Sequence, residues 1–380
     1  MIHKKVPDIK NVSGKTIIIR TDFNVPIDGG KIRDSYRIDQ TIPLIKNLRA
    51  KGAKIILISH AGSDGAQSLL PVFHYLEGKG LALVFASTLA DLQKQTPLMA
   101  KKDIILFENI RREKGEMENS DTLARALASL ADLYINEAFP ASHRAHASIV
   151  GIPKYLPSFA GPEMEEEIEH LSLKNPRRPF VFILGGAKSS TKLPLIKKFL
   201  SKADVVIVGG ALANDFLKTK GYNIGLSLTD KDAPDLSKIA KSKKLLLPID
   251  VVVKNSKNTI ATKSISRIAD DDIALDAGPE STLLFIRAIQ KSKLVVWNGP
   301  MGKYEDGFGK ATEEMLLALA FHKGMSIVGG GDTVALVHKL HVEKKIGFVS
   351  EGGGATLQFL DLGTLVGIRA IEKSPKKKKV

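Results

Sequence analysis

The chain is 380 residues long, 43% of them hydrophobic, with a formal net charge of +15 and no cysteine. This length suits two domains of roughly 100–200 residues each, and the apolar content can fill two cores. The absence of cysteine excludes disulfides, thiolate metal sites and a cysteine nucleophile, while the positive charge fits a protein that binds phosphates or nucleic acid.

The hydropathy of the chain argues against a membrane protein. No window reaches the ~18 uncharged apolar residues that a membrane helix needs. The first residues, Met1–Lys5, lead into Val6-Pro7-Asp8 and not into the apolar core of a signal peptide. We therefore expect a cytoplasmic protein without a membrane partner.

Eight short apolar runs, separated by helix-length stretches, form the main pattern along the chain. Runs that are apolar at every position are typical of parallel strands covered on both faces. Their alternation with helical stretches predicts an α/β fold of two Rossmann-like lobes with mainly parallel sheets. The runs are Thr16–Ile19, Lys54–Ile58, Asp103–Phe107, Asp132–Ile135, Phe180–Leu184, Asp204–Val208, Lys293–Trp297 and Met325–Val328.

Between the fourth and fifth runs, residues 161–174 predict a connecting helix. Pro162 suits the first helical turn, and the glutamates after it suit the positive end of the helix dipole. Met164, Ile168 and Leu171 then share one face. The predicted layout is a first lobe over residues 1–160, a hinge helix over 161–174, a second lobe over 175–359 and a C-terminal segment over 360–380.

In open parallel sheets, ligands bind beyond the carboxyl ends of the strands, so the residues after each run indicate the function. After the first-half runs these residues are polar and rich in cationic donors, which indicates a crevice for an anionic ligand. The segments are Arg20–Asn24, Ser59-His60, Glu108–Arg111 and Asn136–Phe139, the last leading into His143–His146.

The second-half runs are followed by glycine-rich turns. Glycine lets backbone N–H groups approach a ligand closely, and a helix that begins there favours phosphate. Several such turns at successive strand ends of one lobe predict a nucleotide site, although the sequence has neither a P-loop nor a dinucleotide fingerprint. The turns are Gly185–Lys188, Gly209–Ala211, Asn298–Pro300 and Gly329–Thr333.

Together and in this order, the motifs resemble the phosphoglycerate kinase family from about residue 15 to residue 367. That family transfers the γ-phosphoryl group of Mg-ATP to the carboxylate of 3-phosphoglycerate, and glycolysis runs the reaction in reverse. A carboxylate is already ionised near neutral pH, so the nucleophile needs no general base, and positioning and charge neutralisation remain. The motifs are Arg20–Pro26, Arg37-Ile38, Glu108–Arg111, Ala141–Ser148, Gly185–Lys188 with Lys192, Asp276–Glu280, Trp297–Gly302 with Glu305, Gly329–Thr333 and Gly352–Ala355.

In the first lobe, the resemblance implies the site for 3-phosphoglycerate. Arg37 resembles the family arginine that holds the reacting carboxyl end and stabilises the moving phosphoryl group. Asp22 and Asn24 resemble the pair that orients the substrate through its hydroxyl and carboxylate. The basic cluster expected at the 3-phosphate is His60, Arg111 and Arg144.

In the second lobe, the resemblance implies that ATP or ADP binds with Mg²⁺. Lys188 and Lys192 resemble the two family lysines that meet the ATP phosphates, and their spacing of four places them on one face of the opening helix. Asp332 would hold Mg²⁺, which prefers one or two carboxylates plus substrate phosphates. The expected catalytic residues are Arg37, Lys192, Gly331 and Gly354. The other expected nucleotide contacts are Gly186, Ala187, Gly210, Gly278, Asn298, Glu305, Gly330, Gly331 and Thr333.

The chain departs from the family pattern at functional positions. Ser63 replaces an arginine of the 3-phosphate cluster, and loss of a charge-assisted contact costs about 1.5–3 kcal/mol. We therefore expect weaker affinity for 3-phosphoglycerate unless Lys114 or another cation substitutes. Thr191 replaces an aspartate before the second lysine. Glu351 replaces a threonine before the triple glycine, where a carboxylate repels phosphate unless it faces Mg²⁺ or points away.

Two alternative functions stand beside this hypothesis. One is a divergent nucleotide-binding protein of the same fold whose transfer activity has changed or been lost, as Ser63 and Glu351 would allow. The other, less favoured, is a nucleic-acid-binding protein that uses its charge and the basic tail Lys376–Lys379. The resemblance further implies small-molecule substrates, a monomer, closure of the lobes about the 161–174 helix, and a C-terminal segment that returns to the first lobe.

Overall fold

The computed structural model describes residues 4–9 and 11–375, so the predicted basic tail Lys376–Lys379 lies outside the described residues. The chain divides into two units. The first unit runs to Ser172 and resumes at Leu362, and the second unit is Leu173–Asp361.

The strands described in the first unit are β1 (Thr16–Arg20), β2 (Ile27–Asp28), β3 (Lys31–Ile32), β4 (Lys54–Ile58), β5 (Val84–Ala86), β6 (Ile104–Phe107), β7 (Leu133–Asn136) and β8 (Ser158–Ala160). A parallel sheet has the order β5-β6-β4-β1-β7-β8, and β2 pairs with β3 in an antiparallel hairpin. The helices are α1 (Tyr36–Ala50), α2 (Leu70–Gly78), α3 (Leu89–Gln95), α4 (Asp121–Ala128) and α5 (Pro162–Leu171).

Burial explains why the predicted runs are apolar at every position. Ile17 and Ile19 of β1 belong to the hydrophobic cluster on one face of the sheet, and Ile18 belongs to the cluster on the other face. A parallel strand between two helical layers has no solvated face, so none of its positions has to be polar. The four first-half runs are confirmed as strands to within one residue at each end.

The second unit, all of which is described, has the strands β9 (Phe180–Leu184), β10 (Val205–Val208), β11 (Leu245–Leu246), β12 (Asp250–Lys254), β13 (Ile260–Ser264), β14 (Ile273–Ala277), β15 (Leu294–Asn298), β16 (Met325–Gly329) and β17 (Phe348–Ser350). Its parallel sheet has the order β11-β10-β9-β15-β16-β17. Its helices are α6 (Ser189–Lys202), α7 (Ala211–Thr219), α8 (Ser237–Ala240), α9 (Pro279–Gln290), α10 (Lys310–Ala320), α11 (Gly331–Lys339) and α12 (Gly354–Leu362).

The second unit also contains an antiparallel sheet that the sequence patterns did not predict. Its order is β13-β12-β14. The residues of β13 are exposed or half-buried throughout, so this strand has no continuous apolar run. The two parallel sheets nevertheless confirm the predicted α/β fold class.

The last helix, α13 (Val366–Lys373), belongs to the first unit. The N–H of Gly367 donates to the carbonyl of Ser142 at 2.9 Å. Lys4 Nζ donates to the carbonyl of Ser374 at 2.6 Å, next to the carboxyl end of the helix, where a cation is favoured. In the part of the chain that the structure describes, no helix is long and apolar enough to cross a membrane.

Candidate active site

The carboxyl ends of three neighbouring strands define the crevice of the first unit. Arg20, the last residue of β1, pairs in register with Ile58 of β4 and Asn136 of β7. The loops after these strands therefore begin at the same edge of the sheet. They carry the predicted substrate residues Asp22, Asn24, His60 and Arg144.

Arg37, in the first turn of α1, reaches the loop after β1. Its Nη1 donates to Asp22 Oδ2 at 3.0 Å, and the arginine side chain is 27% exposed while that of Asp22 is 4% exposed. Asn24 Oδ1 accepts from the N–H of Gly62 at 2.9 Å, which ties the loop after β1 to the loop after β4. The structure thus brings Arg37, Asp22 and Asn24 together, with the guanidinium still accessible.

His60 lies among cations and is buried. Burial is the main reason why its pKa lies far below the ordinary value, and nearby positive charges lower this pKa further. The pKa of His146 falls to about 4 for the same reasons. The charged neighbours of both imidazoles are Arg20, Arg111 and Arg144. Burial and the neighbouring cations both favour the neutral imidazole of His60, and the arginines supply positive charge to the predicted phosphate cluster.

Arg111 is itself affected by this crowding of charge. Burial and the neighbouring Arg144 lower the pKa of Arg111. Its Nη1 donates to the carbonyl of Gly62, in the loop that contains Ser63. Arg112 holds the same loop by donating from Nε to the carbonyl of Gly65 at 3.1 Å, and its Nη1 donates to a carboxylate. Arg112 is therefore engaged in holding this loop.

Three buried residues behind the crevice had no role assigned from the sequence. Arg20 is 1% exposed, and its Nε donates to Ser148 Oγ at 2.9 Å. Glu116 Oε1 accepts from Ser148 Oγ at 2.6 Å, and its Oε2 accepts from Ser148 N at 2.8 Å. Burial raises the pKa of Glu116, while the charge of Arg20 lowers it. The place of Arg20 at a strand end was a usable signal, but nothing local marks Glu116.

The second unit contains a cavity of about 470 Å³ beyond the ends of β9, β10 and β15. A volume of this order fits a small-molecule ligand. The predicted residues among its lining are Gly186, Ala187, Gly210, Glu305 and Asp332. The sequence analysis missed the apolar walls, which include Leu217, Leu226, Leu228, Leu275 and Met301.

Two of the predicted glycines are required by close packing in this cavity. Gly186 has a φ of +92°, and a Cβ there would overlap Lys192 Nζ. Gly210 has a φ of +63°, and a Cβ there would lie 2.8 Å from the backbone nitrogen of Gly186. Side chains other than hydrogen are strained at both φ values, so these turns depend on glycine.

Two buried polar atoms at the predicted phosphate end have no partner. Asn298 ends β15 and Thr333 lies in the first turn of α11, and both side chains are buried. Within residues 4–9 and 11–375, Asn298 Nδ2 and Thr333 Oγ1 make no hydrogen bond. Unpaired buried polar groups cost free energy, so these atoms indicate a ligand that supplies acceptors. Gly330 and Gly331 open the same helix, whose N-terminus favours phosphate.

Lys192, on α6, donates from Nζ to the carbonyl of Gly185. Burial lowers its pKa to about 8, although the negative charge of Asp332 opposes this change. Lys192 and Gly354 both line a second cavity of about 310 Å³ in the same unit. The exposed Lys188 immediately precedes α6. Two residues expected to be catalytic therefore lie together.

The arrangement at Asp332 fits a magnesium ion held with a phosphate ligand. Asp332 opens α11, and Tyr304 Oη lies 3.5 Å from its Oδ1. Among the described residues, no group of three or more histidine, aspartate or glutamate side chains could hold a metal ion. A metal here would take one carboxylate and phosphate oxygens, which is the ligand set that Mg²⁺ accepts.

Two predicted features have a different environment from the one expected. Gly278 does not line the cavity; it precedes α9, and a Cβ there would overlap the carboxylate of Asp250, so packing explains this glycine. Glu351 Oε1 lies 3.3 Å from Nε2 of His338, a group that can neutralise its charge when protonated. Glu351 is therefore engaged by a neighbouring side chain of its own unit.

An arginine-rich crevice in one α/β unit and a glycine-lined cavity in the other suit a nucleotide-dependent phosphotransferase that acts on a small anion. The family model described as phosphoglycerate kinase matches residues 6–362. The chain belongs to the phosphoglycerate kinase family.

Individual relatives agree with this assignment. The phosphoglycerate kinase of Moorella thermoacetica is 41% identical over 380 residues, covering 95% of this chain and 97% of the relative. That of Dictyoglomus turgidum is 41% identical over 394 residues, covering 98% and 100%. The structure of phosphoglycerate kinase from Coxiella burnetii matches with a TM-score of 0.84 at 33% identity, covering 97% of this chain and 98% of that chain.

These comparisons confirm the family, the fold class and the activity that the motifs predicted. The chain is a phosphotransferase that moves a phosphoryl group between ATP and the carboxylate of 3-phosphoglycerate, with ATP and ADP as nucleotide substrates. The comparisons favour neither a divergent protein without transfer activity nor a protein that binds nucleic acid.

Proposed function

We propose that the first unit binds 3-phosphoglycerate with its phosphate at Arg111, Arg144 and His60 and its carboxylate at Arg37. The crowding of cations carries this proposal, because the pKa of Arg111 is lowered first by burial and then by the charge of the neighbouring Arg144. An anion between the two arginines would relieve their repulsion and form charge-assisted hydrogen bonds. Asp22 is nearly buried and bonded to Arg37, so it holds the guanidinium in place.

The second unit would bind the nucleotide with its base and ribose in the 470 Å³ cavity and its phosphates at the start of α11. Asn298 Nδ2 and Thr333 Oγ1 support this placement, since phosphate oxygens would satisfy both atoms. Asp332 would hold Mg²⁺, which neutralises charge on the nucleotide phosphates when it is bound.

In the proposed reaction, the substrate carboxylate attacks the γ-phosphorus directly, the bond between the γ-phosphorus and the bridging oxygen of the β-phosphate breaks, and ADP leaves. Arg37 and Lys192 would donate to the oxygens of the phosphoryl group as their negative charge develops, and the N–H groups of Gly331 and Gly354 would add to this stabilisation. No residue has to remove a proton, because the nucleophile is already ionised. Closure of the two units, a monomeric state and a cytoplasmic location complete the proposal.

The test is turnover of ATP with 3-phosphoglycerate and Mg²⁺, measured for the wild type, Arg37→Ala and Arg33→Ala. Arg33 is a matched control, since it is exposed and paired with Asp28 in the β2–β3 hairpin. We expect Arg37→Ala to lower kcat by about 10²–10³-fold, as is typical when one preorganised donor is removed. Arg33→Ala should keep the wild-type rate.

Equal kcat values for Arg37→Ala and Arg33→Ala would contradict the role proposed for Arg37. A wild type that binds ATP without turnover would contradict the whole assignment. Salt-sensitive binding to a nucleic acid, lost on removal of Lys376–Lys379, would instead support the nucleic-acid alternative.

A further inference from the structure

The buried guanidinium of Arg20 has three engaged nitrogens. Its Nε donates to Ser148 Oγ at 2.9 Å, and its Nη1 donates to the carbonyl of Thr21 at 2.6 Å. Its Nη2 lies 3.2 Å from Nδ1 of His60. Arg20 is 1% exposed, so it lies behind the crevice and not on its surface.

The contact between Arg20 and His60 permits only one direction of hydrogen bonding. A guanidinium has donors and no acceptor, so Nδ1 of His60 must accept. An imidazole nitrogen that accepts carries no proton, which leaves the proton of the neutral ring on Nε2. We propose that Arg20 is a positioning residue that holds His60 as a neutral imidazole protonated at Nε2, so that His60 meets the phosphate of the substrate as a hydrogen-bond donor and not as a cation.

The groups around His60 support the neutral ring. The charged or titratable side chains facing it are Arg20 from β1, Arg111 after β6, and Arg144 and His146 after β7. The positive charge of each arginine disfavours protonation of the imidazole to its cationic form. Nδ1 of His60 is engaged by Arg20, so Nε2 is the ring nitrogen that remains for a ligand.

Arg20 is in turn held by a second buried group. Ser148 Oγ accepts from Arg20 Nε and donates to Glu116 Oε1, at 2.9 and 2.6 Å. The side chain of Glu116 is fully buried. A continuous chain of buried hydrogen bonds therefore runs through Glu116, Ser148, Arg20 and His60. In this chain the imidazole can only accept at Nδ1, because the guanidinium can only donate.

This inference rests on the proposed function for its substrate but not for its first test. The imidazole nitrogens of the full chain, labelled with ¹⁵N-histidine, would be followed by NMR between pH 5.5 and 8, with His60 identified by the signal that His60→Gln removes. We expect a proton on Nε2 and none on Nδ1 throughout. A proton on Nδ1, or protonation of both nitrogens within this range, would overturn the proposal.

Variants of Arg20 test the positioning role. Arg20→Met removes the donor, and we expect His60 to show both neutral forms and the KM for 3-phosphoglycerate to rise, with the KM for ATP unchanged. Arg20→Lys keeps a donor, so we expect this variant to keep the single Nε2-protonated form. The lysine variant also provides the test if the methionine variant does not fold. Retention of that single form in a folded Arg20→Met would overturn the role of Arg20.

The pH dependence of the substrate effect separates a neutral donor from a cation. His60→Ala removes a hydrogen bond to a charged phosphate, so we expect the KM for 3-phosphoglycerate to rise about 13- to 160-fold. The ratio of variant to wild-type KM should stay constant between pH 6 and 8, because an imidazole that is neutral throughout does not titrate there. A ratio that falls as the pH rises through this range would overturn the neutral donor. Because the NMR experiment needs no substrate, an error in the substrate assignment is distinguishable from an error in the protonation of His60.

Discussion

Glu163, in the first turn of α5, makes the stability of the protein depend on pH. Its Oε1 accepts from Thr41 Oγ1 at 3.1 Å, and its N–H donates to Oε1 of the buried Glu137 at 3.1 Å. Burial raises the pKa of Glu163 from 4.5 to about 8, and the negative charge of Asp22 contributes. Burial and Glu163 likewise raise the pKa of Glu137. We expect Glu163→Gln, which keeps an acceptor and cannot ionise, to stabilise the protein at high pH.

The sign follows from the two pKa values. The folded chain holds the proton more tightly than the unfolded chain, so the stability contributed by Glu163 is complete below its unfolded pKa and is lost as pH rises to about 8. Each pH unit between 4.5 and about 8 changes the free energy of unfolding by at most ~1.4 kcal/mol. The whole interval therefore changes the free energy of unfolding by at most ~5 kcal/mol. Solvent screens the half-buried carboxyl, so we expect a gain of ~2–3 kcal/mol at pH 8 and below ~1 kcal/mol at pH 5.

The assay is urea unfolding of the wild type, Glu163→Gln and Glu169→Gln at pH 5, 6.5 and 8. Glu169 is the control, because it is exposed on the same helix. Far-ultraviolet circular dichroism follows both units, whereas the fluorescence of Trp297, the single tryptophan, reports on the second unit. The gain is expected in the transition of the first unit, and the control should show none.

A stability difference between the wild type and Glu163→Gln that is the same at pH 5 and pH 8 would refute the reasoning. A variant less stable than the wild type at pH 8 would show that the carboxylate is ionised in the fold and stabilises it.

Three further predictions concern the second unit. Since the pKa of Lys192 is lowered to about 8 by burial, kcat/KM for ATP should fall above that pH as the charge is lost, and a pH profile of Lys192→Arg should lack this decline. Asn298→Ala and Thr333→Val should each raise the KM for ATP about 13- to 160-fold, because each loses a hydrogen bond to a charged phosphate, and steady-state kinetics should show an unchanged KM for 3-phosphoglycerate. Gly186→Ala places a Cβ on Lys192 Nζ at a positive φ, so we expect a loss of about 1–3 kcal/mol in urea unfolding together with a lower kcat; wild-type behaviour of this variant would contradict the steric argument.

The strands that sequence patterns predicted are those in the middle of the parallel sheets. A strand such as β1 is apolar at every position because helices cover both faces. The short edge strands β5 and β17 and the antiparallel β13 were missed, because they have few buried residues and therefore no apolar run. The buried edge strand β8 was missed because its three residues, which include a serine, are too few to form such a run. Local sequence indicates a strand only where burial constrains every residue in it.

The residues at the strand ends were predicted through their order along the chain, and the roles of Arg37, Lys192 and Asp332 remain predictions. The sequence by itself determined the chemistry available at those ends, since glycine turns and arginine-rich loops follow directly from residue type. Only the tertiary structure decided which groups meet. Arg20 contacts His60, 40 positions away, because β4 lies beside β1 in the sheet. Strand order depends on the packing of the whole sheet and not on local sequence, and for that reason the protonation of His60 is a property of the fold.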